Sequence, residues 1–214
     1  MVTKAITAAT IGINSCKIEV EVDAIFSVPG VSIVGLPDNA VNEAKERVHS
    51  AIKNSGFSFP SGKVIVNLAP ADIRKEGTYF DLPIAIGILK EQGIAIPDDD
   101  KMAFLGELSL DGTLRRVNGI LPLVSGLKES GVETVFVPEE NAREAALVQG
   151  VKVFGAKHLG DIVHHFSETP IQQTIVDINE YLEKGAETDY IYDFKDVKGQ
   201  QKAKKALEIA AAGG

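Results

Sequence analysis

Residues 17–23 alternate without a break between apolar bulk and charge, with Ile18, Val20 and Val22 set against Lys17, Glu19, Glu21 and Asp23. An extended backbone throws successive side chains to opposite sides, so this alternation makes one apolar face and one wetted face. It predicts a half-buried antiparallel strand. Residues 4–11 and 16–26, rich in Ile, Val and Thr, read as extended together. The period then changes: after Pro37, Val41, Ala44, Val48, Ala51 and Ile52 recur at helical spacing, with Asp38 or Asn39 available as N-cap and Gly56 as a stop.

The same switching continues along the chain. Residues 63–68 read as a buried strand, and Asp81 as the cap of a second helix that tolerates Pro83 in its first turn and ends at Gly93. Residues 104–110 and 113–117 flank Asp111-Gly112, a dipeptide suited to the positive torsions of a tight hairpin. A helix over 120–130, a strand over 133–137, a helix from Pro138, a strand over 151–154 and a helix over 159–166 complete an α+β domain, residues 1–167. Apolar residues thin out beyond it. Residues 168–196 hold 8 acidic and 2 basic side chains, as expected of an acidic linker. Residues 197–214 regain a helical face in Ala203, Ala206, Leu207 and Ala210, with nothing in sequence for it to pack against, so they read as the first element of another domain.

Composition removes several classes of function. At 214 residues, 44% hydrophobic and 24% charged, the chain is long enough for one good core, and no apolar run approaches the roughly 20 residues of a membrane span. A basic and apolar leader does not follow Met1, so a cytoplasmic location is expected. A net charge of -8 argues against strong autonomous DNA binding, because phosphate neutralisation supplies most non-specific affinity. Cys16, the single cysteine, reads as a small buried hydrophobe. His49, His158, His164 and His165 lack metal-ligand spacing and read as a solvated face, so no metal is expected. The glycine-containing segment 56–64 is no phosphate loop: five residues separate Gly56 from Gly62, and Val64 stands where Ser or Thr would hold magnesium.

The most distinctive run is residues 67–83, Asn-Leu-Ala-Pro-Ala-Asp-Ile-Arg-Lys-Glu-Gly-Thr-Tyr-Phe-Asp-Leu-Pro. Physically it is a strand, a charged loop and a helix, open to three readings: a plain surface loop, a backbone nest for an anion, or an interface. Together with Gly35-Leu36-Pro37-Asp38, the segment 104–112, Val137-Pro138-Glu139-Glu140-Asn141, the segment 193–200 and the segment 206–214, it resembles the magnesium-chelatase-like AAA+ proteins of the YifB and ComM type.

The resemblance implies a Lon-protease-like N-terminal domain of the two-layer ribosomal-S5 domain 2 fold, followed by the start of an AAA+ module cut before its P-loop. Lon-type enzymes use a Ser nucleophile and a Lys base. Matching their motifs puts Tyr79 at the serine position and Leu121 at the lysine position, so no catalytic residue is expected. Val197, Gly199 and Gln200 match the adenine-side segment of the parent, which implies ATP and Mg2+ for the full-length protein and no cofactor for this chain. Two functions follow from the resemblance. One is a non-catalytic domain that assembles or guides substrate for an ATP-driven DNA-remodelling ring, hexameric in the parent. The other is a chelatase-like chaperone that remodels a protein or inserts a metal. Arg74, Lys75, Arg115 and Arg116, on two loops beside the former catalytic cleft, are the candidate weak DNA contacts of the assembled parent.

Overall fold

A computed structural model describes residues 2–12, 14–177 and 194–213. These divide into a compact unit ending at Val176 and a second unit from Asp177 onward. In the first unit, β1 (Thr3–Ile11) and β2 (Asn14–Ile25) form an antiparallel pair in which Ala5 faces Val20 and Thr7 faces Ile18. Ile18, Val20 and Val22 are buried as their alternation requires. After β3 (Gly30–Val34), helix α1 (Asn39–Asn54) starts at Asp38, whose carboxylate accepts from Val41 N at 2.8 Å, and buries the five positions that carry its period. β4 (Lys63–Ala69) pairs antiparallel with β2 and parallel with β3. A short 3-10 turn, Thr78–Phe80, then leads into α2 (Asp81–Glu91).

The second half is built differently. β5 (Met102–Phe104) joins the main sheet beside β1, and only Glu107–Leu108 (β6) and Leu114–Arg115 (β7) form the hairpin expected around Asp111-Gly112. Then follow α3 (Ile120–Glu129), β8 (Thr134–Pro138), α4 (Glu139–Ala145), β9 (Lys152–Ala156), α5 (Leu159–His165) and β10 (Gln173–Thr174). The sheet order is β10-β9-β8-β5-β1-β2-β4-β3, and four of its seven pairings are parallel.

This corrects the expected two-layer α+β architecture: the fold is mixed α/β, and the β5-α3-β8-α4-β9 run is a parallel βαβ arrangement. Helices cover both faces. Thr3 on one face of β1 donates to Gly87 O of α2 at 2.8 Å, whereas Ser15, which pairs with Thr10 on the other face of β1, donates to Pro122 O of α3 at 2.9 Å. Residues 5–9 of β1 are therefore buried on both sides, which explains why they alternate in neither polarity nor size.

The compact unit also runs past the expected boundary at residue 167, because β10 adds to the edge of β9. Most of the acidic linker, residues 178–193, lies outside the described residues. In the second unit a 3-10 turn, Phe194–Asp196, precedes α6 (Gln201–Gly213), which has no buried residue within the chain. Among the described residues no helix is long and apolar enough to cross a membrane.

The seat of α3 on β2 depends on Gly126, where a Cβ would overlap Ser15 Oγ and stand 2.7 Å from the Ser15 carbonyl oxygen. Gly126→Ala is expected to lower stability by about 1–3 kcal/mol in urea unfolding, despite the better helix propensity of alanine.

Candidate functional site

Two loops meet at one end of the sheet and are laced by their backbones. Lys75 N donates to Leu36 O at 3.1 Å, and Asp38 N donates to Lys75 O at 2.9 Å. Asp38 thus both caps α1 and, through its second oxygen, accepts from Gly77 N at 3.4 Å. The first loop can approach only because residue 35 is glycine: its φ of 100° suits no other residue well, and a Cβ would overlap the Leu68 carbonyl oxygen. Leu36 follows with φ 57°, a left-handed conformation held by this lacing.

Lys75, expected on a basic surface, is wholly buried. Its ammonium donates to Pro70 O inside its own loop, and burial lowers its pKa. This corrects the four-residue patch, since a buried ammonium cannot reach a phosphate without opening the loop. Arg74, Arg115 and Arg116 are exposed, and each lies within 4 Å of a carboxylate: Arg74 to Glu76 at 3.0 Å, Arg115 to Glu107 at 3.9 Å, Arg116 to Glu144 at 3.7 Å. Glu107 also accepts from the Thr78 hydroxyl, so it links the hairpin arginine Arg115 to the Gly77 loop. Arg116, one residue on, pairs instead with α4.

The two positions matched to a protease dyad hold a buried phenol and an exposed alkyl group. Tyr79 stacks on Phe80 with ring centroids 4.9 Å apart. Its hydroxyl lies near Thr10 but makes no hydrogen bond of standard geometry, and burial raises its pKa. Leu121 is 39% exposed on the first turn of α3, beside a shallow groove of about 290 Å³ that also touches Asn14, Ser125 and Glu129. A phenol held protonated in an apolar setting is no nucleophile at neutral pH.

Asp81, expected as a helix cap, is instead a buried ion-pair partner; the residue at the cap is Phe80, which makes no side-chain bond. The Asp81 carboxylate takes two bonds from the Arg47 guanidinium, at 2.8 and 3.0 Å, and one from Leu108 N at 3.2 Å. Arg47 also donates to Ala40 O at 2.9 Å. Desolvation outweighs these partners and lifts the Asp81 pKa to about 6, while the hydrogen bond to Asp81 raises that of Arg47. The sequence did carry a signal for this pair. Residues 79–89 are apolar except for one carboxylate, and a lone charge heading a buried helix requires a counter-charge.

The remaining candidates are also placed. His158 and His165 are structural rather than solvated: His158 caps α5 by accepting from Gly160 N, and His165 packs edge-on against Phe136. Cys16 is only half-buried, and burial pushes its thiol pKa up. In the second unit Gly199 and Gln200 both have positive φ, and the Gln200 carbonyl accepts from Lys204 N at 3.0 Å. Val197 is exposed, and its carbonyl accepts from the Lys204 ammonium.

The profile described as "Subunit ChlI of Mg-chelatase" matches residues 20–141, more than half of the chain. The chain belongs to the magnesium-chelatase-like family of the ComM and YifB type. It is 39% identical over 209 residues to the competence protein ComM of Haemophilus influenzae, and 37% identical over 214 residues to YifB of Salmonella typhimurium. These alignments cover 96% and 97% of the chain and 40% of each relative, so the chain spans about two fifths of their length. Lon protease 2 of Bacillus subtilis is a more distant match, 25% identical over 170 residues, covering 72% of this chain and 30% of that protein.

Two expected outcomes follow from the buried groups. Tyr79→Phe removes a hydroxyl that has lost its water and gained no firm partner, so chemical denaturation should show stability unchanged or raised by up to about 1 kcal/mol. For Asp81 the folded pKa lies above the ordinary value of 3.8, so its contribution is full below about pH 4 and is lost as pH rises through about 6. Urea unfolding at pH 5 and pH 7 should show the stability of the wild type relative to Asp81→Asn greater at pH 5, by about 1 kcal/mol.

Proposed function

We propose that this chain is the non-catalytic N-terminal part of a magnesium-chelatase-like AAA+ ATPase, and that it helps to assemble or guide substrate for an ATP-driven, DNA-remodelling ring. The observation that carries the non-catalytic reading is the pair of dyad positions, where Tyr79 is sealed in the core and Leu121 faces solvent. The distant similarity to Lon protease 2 supports common descent with a Lon-type domain whose chemistry has been lost. The description of the Haemophilus relative as a competence protein supports the DNA reading over the chelatase-like chaperone. α6, whose Leu207 and Ile209 are both exposed, is the first helix of the ATPase module, and Val197, Gly199 and Gln200 form the adenine-side turn ahead of it.

DNA contact in the ring then falls to Arg74, Arg115 and Arg116, with Lys75 acting as a strut of the loop that carries Arg74. Each arginine already has a carboxylate neighbour, so one copy contributes little and the effect depends on several copies acting together. In the full-length protein, changing these three arginines to Ala should weaken DNA binding several-fold and flatten its dependence on salt, with ring assembly retained in gel filtration. Unchanged affinity and salt slope would reject the DNA role of this surface. Lys75→Ala serves as the contrast: it is expected to lower the unfolding midpoint of this chain.

A further inference from the structure

The last turn of α5 and the chain that follows it form a clamp at the end of the compact unit. His165 inserts its ring among three phenylalanines, with centroids 5.0 Å from Phe136, 4.8 Å from Phe154 and 4.9 Å from Phe166. Its Nδ1 accepts from Ile171 N at 3.0 Å. Two residues later β10 pairs with β9, Gln173 opposite Phe154, and the compact unit ends at Val176. Residues 167–169 turn back onto His164 O, and beyond them Ile171 packs against the core, so one imidazole lone pair, one apolar contact and a two-residue strand hold residues 170–176.

We infer that His165 is a proton-sensitive latch: its neutral ring holds residues 170–176 on the sheet edge, and protonation releases them. A lone pair on Nδ1 is the acceptor for Ile171 N, and a proton placed there turns the acceptor into a second donor facing a donor. The bond is replaced by a repulsion. The three Phe rings partly shield the imidazole from water, and burial holds the His165 pKa below 6.5.

Among the described residues no carboxylate offsets this. β8 has no titratable residue and β9 has only Lys152, which is exposed. On α5, Asp161 turns back to accept from the backbone N–H groups of Lys157 and His158, and His164 is exposed. In the turn before residue 170, Glu168 is exposed, and its N–H donates to His164 O. Because the folded pKa is depressed, the latch is closed above the ordinary histidine value of 6.5 and is lost as pH falls through the lower folded value. Release converts residues 170–176 from strand and turn into flexible chain.

The test uses the 214-residue chain and residue-resolved amide hydrogen exchange, corrected for intrinsic rates, from pH 7.5 to pH 5. Protection at Ile171 and Thr174 should fall about tenfold across the titration of His165 while protection in α2 holds. His165→Asn, which keeps an acceptor near Nδ1 and does not titrate, should make protection at Ile171 independent of pH. His165→Phe, which keeps the ring and loses the acceptor, should show low protection at both ends. Constant protection in the wild type, or the same fall in His165→Asn, would overturn the latch. None of these readouts depends on DNA or ATP, so failure here leaves the proposed function standing, and failure of that function leaves the latch standing.

Discussion

Arg47 and Asp81 join three pieces of chain through one ion pair: the middle of α1, the first residue of α2 and the amide of Leu108 in the hairpin. A carboxylate with no exposed surface is costly, and here desolvation prevails over the guanidinium, since the Asp81 pKa lies above that of a free aspartate. Such a pair adds little net stability relative to apolar packing, but either partner alone is far worse. Its effect is to specify geometry. A sliding of α1 along α2 would strand one charge in the core, so the register of the helix layer is held by a penalty rather than by an attraction. The Gly77 loop, lying between these two helices in sequence, inherits that fixed frame.

The segments that carry the family resemblance turn out to be joints of this frame. Gly35 allows the approach to Leu68, Asp38 ties α1 to the Gly77 loop, and Lys75 closes its loop on Pro70. Asn141, from the motif that opens α4, is buried and exchanges two hydrogen bonds of 2.9 Å with the backbone of Val117, fixing the chain just ahead of α3. Between these joints Tyr79 is held in the core and Leu121 in water.

The strands and helices with a clear period were legible in sequence: β2 from its alternation, α1 from its spacing and cap, and the Gly93 stop of α2. Parallel pairing was not. β5, β8 and β9 are three to five residues long and buried, and short apolar runs carry no mark of the partner they choose or its direction. The hairpin was read too long for the same reason, because Phe104 belongs to the main sheet and only residues 107–108 pair across the turn. At the site, charge was read as exposure. Arg74, Arg115 and Arg116 obey that rule, whereas Lys75 and Asp81 break it by finding partners distant in sequence or inside a loop. The boundary near residue 167 stopped short because nothing in Gln173–Thr174 announces a strand; the sheet edge supplies the reason.

Among the described residues the sheet has two free margins, the five residues of β3 and the two of β10, and the loop before β3 displays Phe26 and Val28 to solvent. Greasy side chains beside open backbone groups are the ingredients of runaway strand addition. Here the geometry starves it. A visiting strand could form only a handful of hydrogen bonds along β3 before the chain turns away at Gly35, and fewer along β10, so neither margin repays the entropy of ordering a long guest. Brevity of its borders, rather than charge or proline, keeps this sheet finite.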